Sequence, residues 1–345
     1  MTSLPVCLLA LASLFSVPAL ATEKPPEQTS TFTFIFENDL FGETDAQYTN
    51  GLQLAWLSGD LARYAEAGRV PGWLLGVVSR MPFVNAEGRL RNVGFALGQQ
   101  MYTPEDVAQR ELLPGDRPYA GWLYGGVSFM SRSEVAMDVV EFQAGMVGPA
   151  ALAEQAQDLV HEIRGLPTAK GWDHQLENEP GFNLILEHRD RRWRQTLHDR
   201  WAFDVITGAG GVVGNVASYL QTGGIFRLGW NLPFDFGTSP IRPGGDPNAP
   251  AARGDPRLDH MTRFGFHVFA GLGGRLVLRD IFLDGNTFAD SHSVDKELLV
   301  GDFVLGATVL AGPAKLSYTQ NFRSREFEGQ PDSHNFGSIS LSWTF

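Results

Sequence analysis

Two polar clusters in this chain carry residue types from which an ester hydrolase can be built. The first comprises Glu37, Asn38 and Asp39, followed by Tyr48, Thr49 and Asn50. A carboxylate beside amide and hydroxyl oxygens suits calcium, a hard cation that prefers oxygen ligands. The second is Gln157 and His161, four residues apart and hence on one face of a helix. Histidine can act as a general base near neutral pH. A cation beside it could polarise an ester carbonyl and stabilise its oxyanion. Taken singly these residues also have ordinary readings: Asn-Asp after a strand is commonly a turn, and a loop histidine is more often structural.

Other candidates fall away. His161-Glu162 opens no H-E-x-x-H zinc site, because position 165 is glycine. His292-Ser293 has no partner asparagine and no G-x-S-x-G elbow near it. Asp116 and Arg117 read as a structural pair, and Glu177 and Glu179 as loop or lumen anchors. The single cysteine, Cys7, lies in the first 21 residues, so the chain beyond them can form no disulfide and use no thiol.

The elements that must hold these residues read as strands. In Thr31–Trp56, Phe32, Phe34 and Phe36 alternate with Thr31, Thr33, Ile35 and Glu37; Leu52, Leu54 and Trp56 alternate with Gly51, Gln53 and Ala55. Period-2 alternation gives one apolar and one polar face. Strict alternation puts Asn38 on the apolar side with Phe36, so Asn38 joins Asp39 only if the strand ends or bulges there. Twelve such segments, near 31–40, 48–58, 91–103, 118–130, 135–147, 180–191, 198–211, 217–229, 262–280, 296–310, 313–323 and 334–345, have lengths that cross an outer membrane. The chain ends in Phe345, typical of bacterial outer-membrane barrels, and Trp56, Trp122, Trp230 and Trp343 suit interfacial girdles.

The expected fold is therefore all-β: one closed antiparallel twelve-stranded transmembrane β-barrel. Ala150–Ile163 forms a short helix in an outer loop. Residues 1–21 read as a signal peptide and 22–345 as the barrel domain. With an even strand count and both termini in the periplasm, loops 41–47, 104–117, 148–179, 212–216, 281–295 and 324–333 face outward. A soluble two-sheet sandwich explains the alternation equally well, but not the strand lengths or the terminal phenylalanine. The net charge of −12 disfavours nucleic acid as a partner. Twelve strands enclose a narrow lumen that side chains fill, so an open porin is not expected.

In order and spacing these motifs resemble the outer-membrane lipid A 3′-O-deacylases of the LpxR type. The resemblance rests on Asn38-Asp39, on Tyr48-Thr49-Asn50-Gly51 and on Gly115-Asp116-Arg117. It continues through Gly148-Pro149, Gln157 with His161, and Gln175 to Asn178, and covers Thr31 to Phe345. It implies calcium-dependent removal of the 3′-linked acyloxyacyl chain of lipid A in the outer leaflet. His161 would then be the base that activates water. Asn38, Asp39, Thr49 and Gln157 would arrange cation and substrate, with Asn38, Asp39 and Thr49 nearest the calcium. The family also uses a lysine in the second outer loop; 104–117 holds none, and Arg110 is the nearest basic candidate for substrate contact. The expected partners are lipid A or lipopolysaccharide and the outer membrane, with the chain a monomer. An outer-membrane phospholipase and a catalytically inactive structural barrel are the alternatives.

Overall fold

The computed structural model describes residues 29–39, 47–68, 70–165, 167–238, 247–252, 254–258 and 264–345. The expected signal peptide, 1–21, and most of the first hairpin loop lie outside them. Twelve antiparallel strands close into one barrel. They are β1 (Thr31–Asn38), β2 (Gln47–Leu57), β3 (Leu90–Thr103), β4 (Ala120–Arg132), β5 (Ala136–Val147) and β6 (Glu179–His198). The remaining six are β7 (Trp201–Gly214), β8 (Ala217–Trp230), β9 (Phe264–Asp280), β10 (Leu299–Ala311), β11 (Ala314–Arg323) and β12 (His334–Thr344). Closure comes from β1 pairing with both β2 and β12, Thr31 opposite Thr344 and Asn38 opposite Gly337. The rim where β1 begins and β12 ends is the lower rim here, and the opposite one the upper.

Alternation does what the sequence pattern predicts. Phe32, Leu52, Leu54, Leu316, Leu341 and Trp343 are exposed on the outer wall, while Thr31, Thr33, Glu141, Ser317, Ser340 and Ser342 are buried inside. Inward hydroxyls bond across strands, as in Thr33 to Ser342 at 3.0 Å and between Thr308 and Ser317 at 2.9 Å. One tryptophan departs from expectation. Trp122 does not join a girdle: it is buried in the lumen, stacked at 5.6 Å on Tyr124, because its register position points inward.

A second departure is the length of β6 and the later start of β7. Residues 192–197, the connection between the expected strands 180–191 and 198–211, continue the ladder, past bulges, to a tight turn at Asp199, whose φ is 49°. The charges are absorbed by the segment after β8. Arg194 sits 3.8 Å over the Phe234 ring and donates to the Leu232 carbonyl, and Arg191 donates to the Asp235 carbonyl.

That segment, together with 247–258, closes the lumen from below. Phe236, Ala249 and Ala251 pack on Leu57, Met130, Met137 and Val139. Asp235 is the polar centre of the closure: it accepts from Arg227 at 2.5 Å, Lys315 at 2.7 Å and Arg257 at 3.1 Å, all fully buried. Burial pushes the Asp235 carboxyl up, but the three cations outweigh it and hold the group well below the usual carboxylate range. From above, the short helix α3 (Ile281–Asp284) sets Ile281 and Phe282 against Trp122, Tyr124, Val147 and Val216. Between the closures remains a polar cavity of about 90 Å³, lined by Glu37, Tyr48, Gln100 and Tyr102 among others. The filled lumen expected of twelve strands is what the described residues show.

Candidate functional site

At the upper rim the first hairpin presents its polar cluster. The ladder ends at Asn38, paired with Asn50, and Asp39 follows just beyond it. The irregularity that the alternation requires falls in the partner strand: the register of β2 against β3 shifts between Tyr48 and Asn50, leaving Thr49 as the extra residue. The side chain of Thr49 lies outside the described residues. The bulge reverses the phase of what precedes it. Leu52 and Leu54 point outward, yet Tyr48 reaches the lumen, where its hydroxyl donates to Glu37 at 2.8 Å and accepts from Gln100 at 3.3 Å.

Tyr48 thus bolts the end of β1 to the start of β2 directly behind Asn38 and Asp39. Tyr48→Phe removes the donor while keeping the ring contacts with Tyr102 and Phe336. It should lower the unfolding free energy by about 1–3 kcal/mol, the range for a lost charge-assisted bond. Urea titration of the refolded barrel measures this, and an unchanged midpoint would show that the bolt does nothing.

Asn38 keeps the outward phase of Phe32, Phe34 and Phe36, and Asn50 that of Leu52 and Leu54; both asparagines are nonetheless buried. Two strands further on, the outer wall of β3 and β4 is also covered. The helix α2 (Ala153–Arg164) lies over it. Ala153 belongs to one buried cluster with Met101, Tyr119 and Trp172. A Cβ on Gly121 would come within 2.6 Å of the Ala153 side chain, so glycine is what lets helix and wall approach. Gln99 donates to the Ala151 carbonyl at 2.6 Å. Gln99 and Met101 share the outward phase of exposed Leu97, so the helix sits outside the barrel and not over its mouth.

Ala153, Gln157 and His161 recur every four residues, so the face that meets the wall carries both candidate side chains. Gln157 is 2 % and His161 3 % exposed, against 58 % for Leu159. Gln157 is oriented by the Trp172 indole, which donates to its Oε1 at 2.8 Å; its Nε2 is buried with no hydrogen-bond partner among the described residues. His161 Nδ1 lies 2.6 Å from the Pro167 carbonyl. A carbonyl can only accept, so Nδ1 carries the hydrogen of the neutral ring and Nε2 the lone pair. The loop that carries α2 is held by a glycine, Gly148, at φ 92°, where a Cβ would meet the Glu177 carbonyl at 2.6 Å, and by Asn178 accepting from the Ala150 amide at 2.7 Å.

Asn38, Asp39 and the Thr49 backbone are therefore together at one hairpin. Gln157 and His161 are together on one helix face, turned to the outer wall of β3 and β4. Arg110 stands apart: its exposed guanidinium pairs at 3.0 Å with exposed Asp173, in the turn that also supplies Trp172. Burial and the neighbours Asp158 and Asp173 raise the Glu154 carboxyl on α2. Asp116 and Arg117 do not form the pair their adjacency suggests, since the Asp116 carboxylate accepts from the backbone amides of Glu105 and Arg117. Arg117 donates to Glu326 at 3.0 Å, Glu179 accepts from Asn215 at 2.9 Å, and the His292 ring bonds the Asp116 carbonyl at 2.7 Å. Burial raises Glu326, but Arg323, Arg117 and Arg275 outweigh it and bring its carboxyl to about 2.

No group of three or more His, Cys, Asp or Glu side chains that could hold a metal occurs among the described residues. Among the described residues, a cation at the hairpin would rest on one carboxylate, Asp39, with amide and hydroxyl oxygens, an all-oxygen donor set that fits calcium and not zinc. Sequence reasoning did not single out Trp172 or the Pro167 carbonyl, the groups that orient Gln157 and His161. Their only signal is position, within a dozen or so residues after the helix.

Comparison with known proteins gives three findings. The profile of the family described as outer membrane protein LpxR matches residues 6–345. Among solved structures, LpxR from Salmonella typhimurium superposes with a TM-score of 0.69 at 19% identity, covering 91% of this chain and 100% of that one. The β domain of the Bordetella autotransporter BrkA gives a TM-score of 0.41 at 8% identity over 92% of this chain and 98% of that one. A search of curated protein sequences finds no match.

Proposed function

Because the chain belongs to the LpxR family of outer-membrane proteins, we propose that it is a lipid A 3′-O-deacylase: an ester hydrolase acting in the outer leaflet, with the upper rim facing the cell exterior. The observation that carries this reading is the face of α2. It brings a buried histidine with a fixed tautomer and an oriented glutamine to the outer wall, beside an oxygen-rich hairpin. A site on the outside of the wall meets a lipid substrate without extracting it from the leaflet.

In this reading His161 Nε2 takes a proton from water as the oxygen attacks the acyl carbonyl carbon. The Pro167 carbonyl holds the ring and favours the cation that forms on it. When the tetrahedral intermediate collapses, the ester C–O bond breaks and the same nitrogen returns the proton to the departing 3′-oxygen. The Gln157 Nε2 hydrogens, which have no partner among the described residues, are placed to donate to the intermediate's oxygen. Calcium held by Asn38, Asp39 and Thr49 would supply a Lewis acid for the ester carbonyl and charge for the oxyanion. Arg110, exposed at the edge of this region, is the candidate for contact with the anionic headgroup, in exchange for Asp173.

Mass spectrometry of lipid A from cells with and without the protein is the direct test. The expected result is loss of one acyloxyacyl unit only when the protein is present. With the purified protein, chelation should abolish the reaction, calcium should restore it, and Asp39→Ala should be unresponsive to calcium. Activity that survives both chelation and Asp39→Ala would remove the cation from the mechanism. Release of fatty acid from phospholipid and not from lipid A would make the protein a phospholipase, and no release from either an inactive barrel.

A further inference from the structure

We infer that the connection between β2 and β3 is a membrane-interface anchor whose partner is the phospholipid headgroup boundary at the lower rim. It is separate from the candidate site and does not depend on the proposed reaction. The segment does not hang below the barrel. It folds up against the outer wall, where Leu61, Tyr64, Leu74, Val78 and Val84 pack on Val93, Phe129 and Val140. Those three wall residues are register neighbours on adjacent strands and share the outward phase of exposed Leu97 and Leu186. The Tyr64 hydroxyl pins the fold, donating to the Val84 carbonyl at 2.7 Å and the Met130 carbonyl at 3.2 Å.

At its centre is the helix α1 (Gly72–Val78), with the sequence GWLLGVV and not one polar side chain. Leu74 and Val78 face the wall; Trp73, 73 % exposed, and Val77 lie four apart on the opposite face. Phe83, in the following turn, is exposed beside them, as is Arg80, which follows Val77 by three residues. An exposed helix that is apolar all round has no reason to be stable in water. Tryptophan, a further aromatic and an arginine on one side is the composition of a surface lying in a headgroup layer, the arginine keeping its charge in the polar zone.

Position supports the same occupant. Directly above the packed residues, Trp56 and Phe95 stack at 5.9 Å. Around the same rim run Trp201 against Phe266, Trp230 against Phe264, and exposed Trp343 and Phe345. The helix is continuous with this aromatic girdle, so whatever bathes the girdle bathes Trp73. Charges in 58–89 come close to balance, Arg63, Arg69, Arg80 and Arg89 against Asp60, Glu66 and Glu87, a net charge of +1, so a zwitterionic headgroup layer is a sufficient partner.

The test uses the full chain folded into phosphatidylcholine vesicles, with Cys7→Ser and a fluorophore at Trp73→Cys, or at Val77→Cys should the first fail to fold. Glu87→Cys, exposed in the turn before β3, is the aqueous control. Nitroxide-bearing phospholipid should quench the label at 73 or 77, and a shallow nitroxide about twofold more than a deep one, as an interfacial depth requires. Iodide should quench only the label at 87. Equal iodide quenching at both positions with no response to lipid nitroxide would overturn the anchor and leave the face for a protein partner absent from the vesicles.

Discussion

His161→Ala should fold and insert like the parent and release almost no acyl chain. Loss of a general base costs about a hundred- to ten-thousand-fold in rate. The fold should not feel the change, because the residue lies on α2, which covers the wall and is no part of the strand ladder. The bond to the Pro167 carbonyl is lost with the ring, and no strand–strand pairing depends on it. Heat-modifiable gel mobility checks the fold, and calcium-saturated turnover of lipid A checks the chemistry. Gln157→Ala should be more tolerant, since losing one donor to the intermediate's oxygen, about a hundred- to thousand-fold at most, leaves the proton transfer from water in place. Deacylation by His161→Ala at near the parental rate sinks the assignment of the base.

Asp235→Asn should be the most damaging single change to stability. The carboxylate is shared by Arg227, Arg257 and Lys315, and all four side chains are fully buried. Arg227 would keep Asp204 and Arg257 would keep Asp255, but Lys315 would keep only neutral oxygens, those of Gly237 and Asn248. Breaking a buried ion pair from one side costs about 3–5 kcal/mol. Exposed Asp332→Asn should stay within about 0.5 kcal/mol. Urea unfolding of the two variants decides between a lock and a decoration, and a cost for Asp235→Asn below that of the control variant rules the lock out. Acid acts on the same group. Its folded pKa is depressed, so its contribution is complete above the unfolded carboxylate value of about 3.9 and fades as pH falls below it.

The barrel was legible because its signal is repeated on every strand. A residue such as Phe142 or Ser340 has its face set by its neighbours' phase along the strand. The candidate residues were legible as motifs but not as a place. Asn38 looked misplaced on the lipid side of β1. It does keep that phase and is buried there, and Gln157 and His161 reach the outer wall because α2 lies outside it. That packing depends on Gly121 meeting Ala153 across 32 residues of sequence, which no period reports. The charges of Arg191 to Arg194 misled in the opposite direction. The expected strand stops at 191 because the partners of Arg191 and Arg194, Phe234 and the carbonyls of Leu232 and Asp235, come from a segment after two further strands.

The placement of α2 also decides the dimension in which substrate concentration counts. A catalytic face turned to the outer wall at the rim samples molecules that diffuse in a plane. The quantity that fills it is a surface density, the mole fraction of substrate among its neighbours, and not moles per litre. Diluting a suspension of membranes with buffer leaves that fraction untouched and so leaves each protein's turnover untouched. Diluting the same substrate with inert lipid or detergent lowers turnover in proportion, even at constant bulk concentration. Apparent affinity for such a protein is a property of the membrane's composition as much as of the side chains that bind.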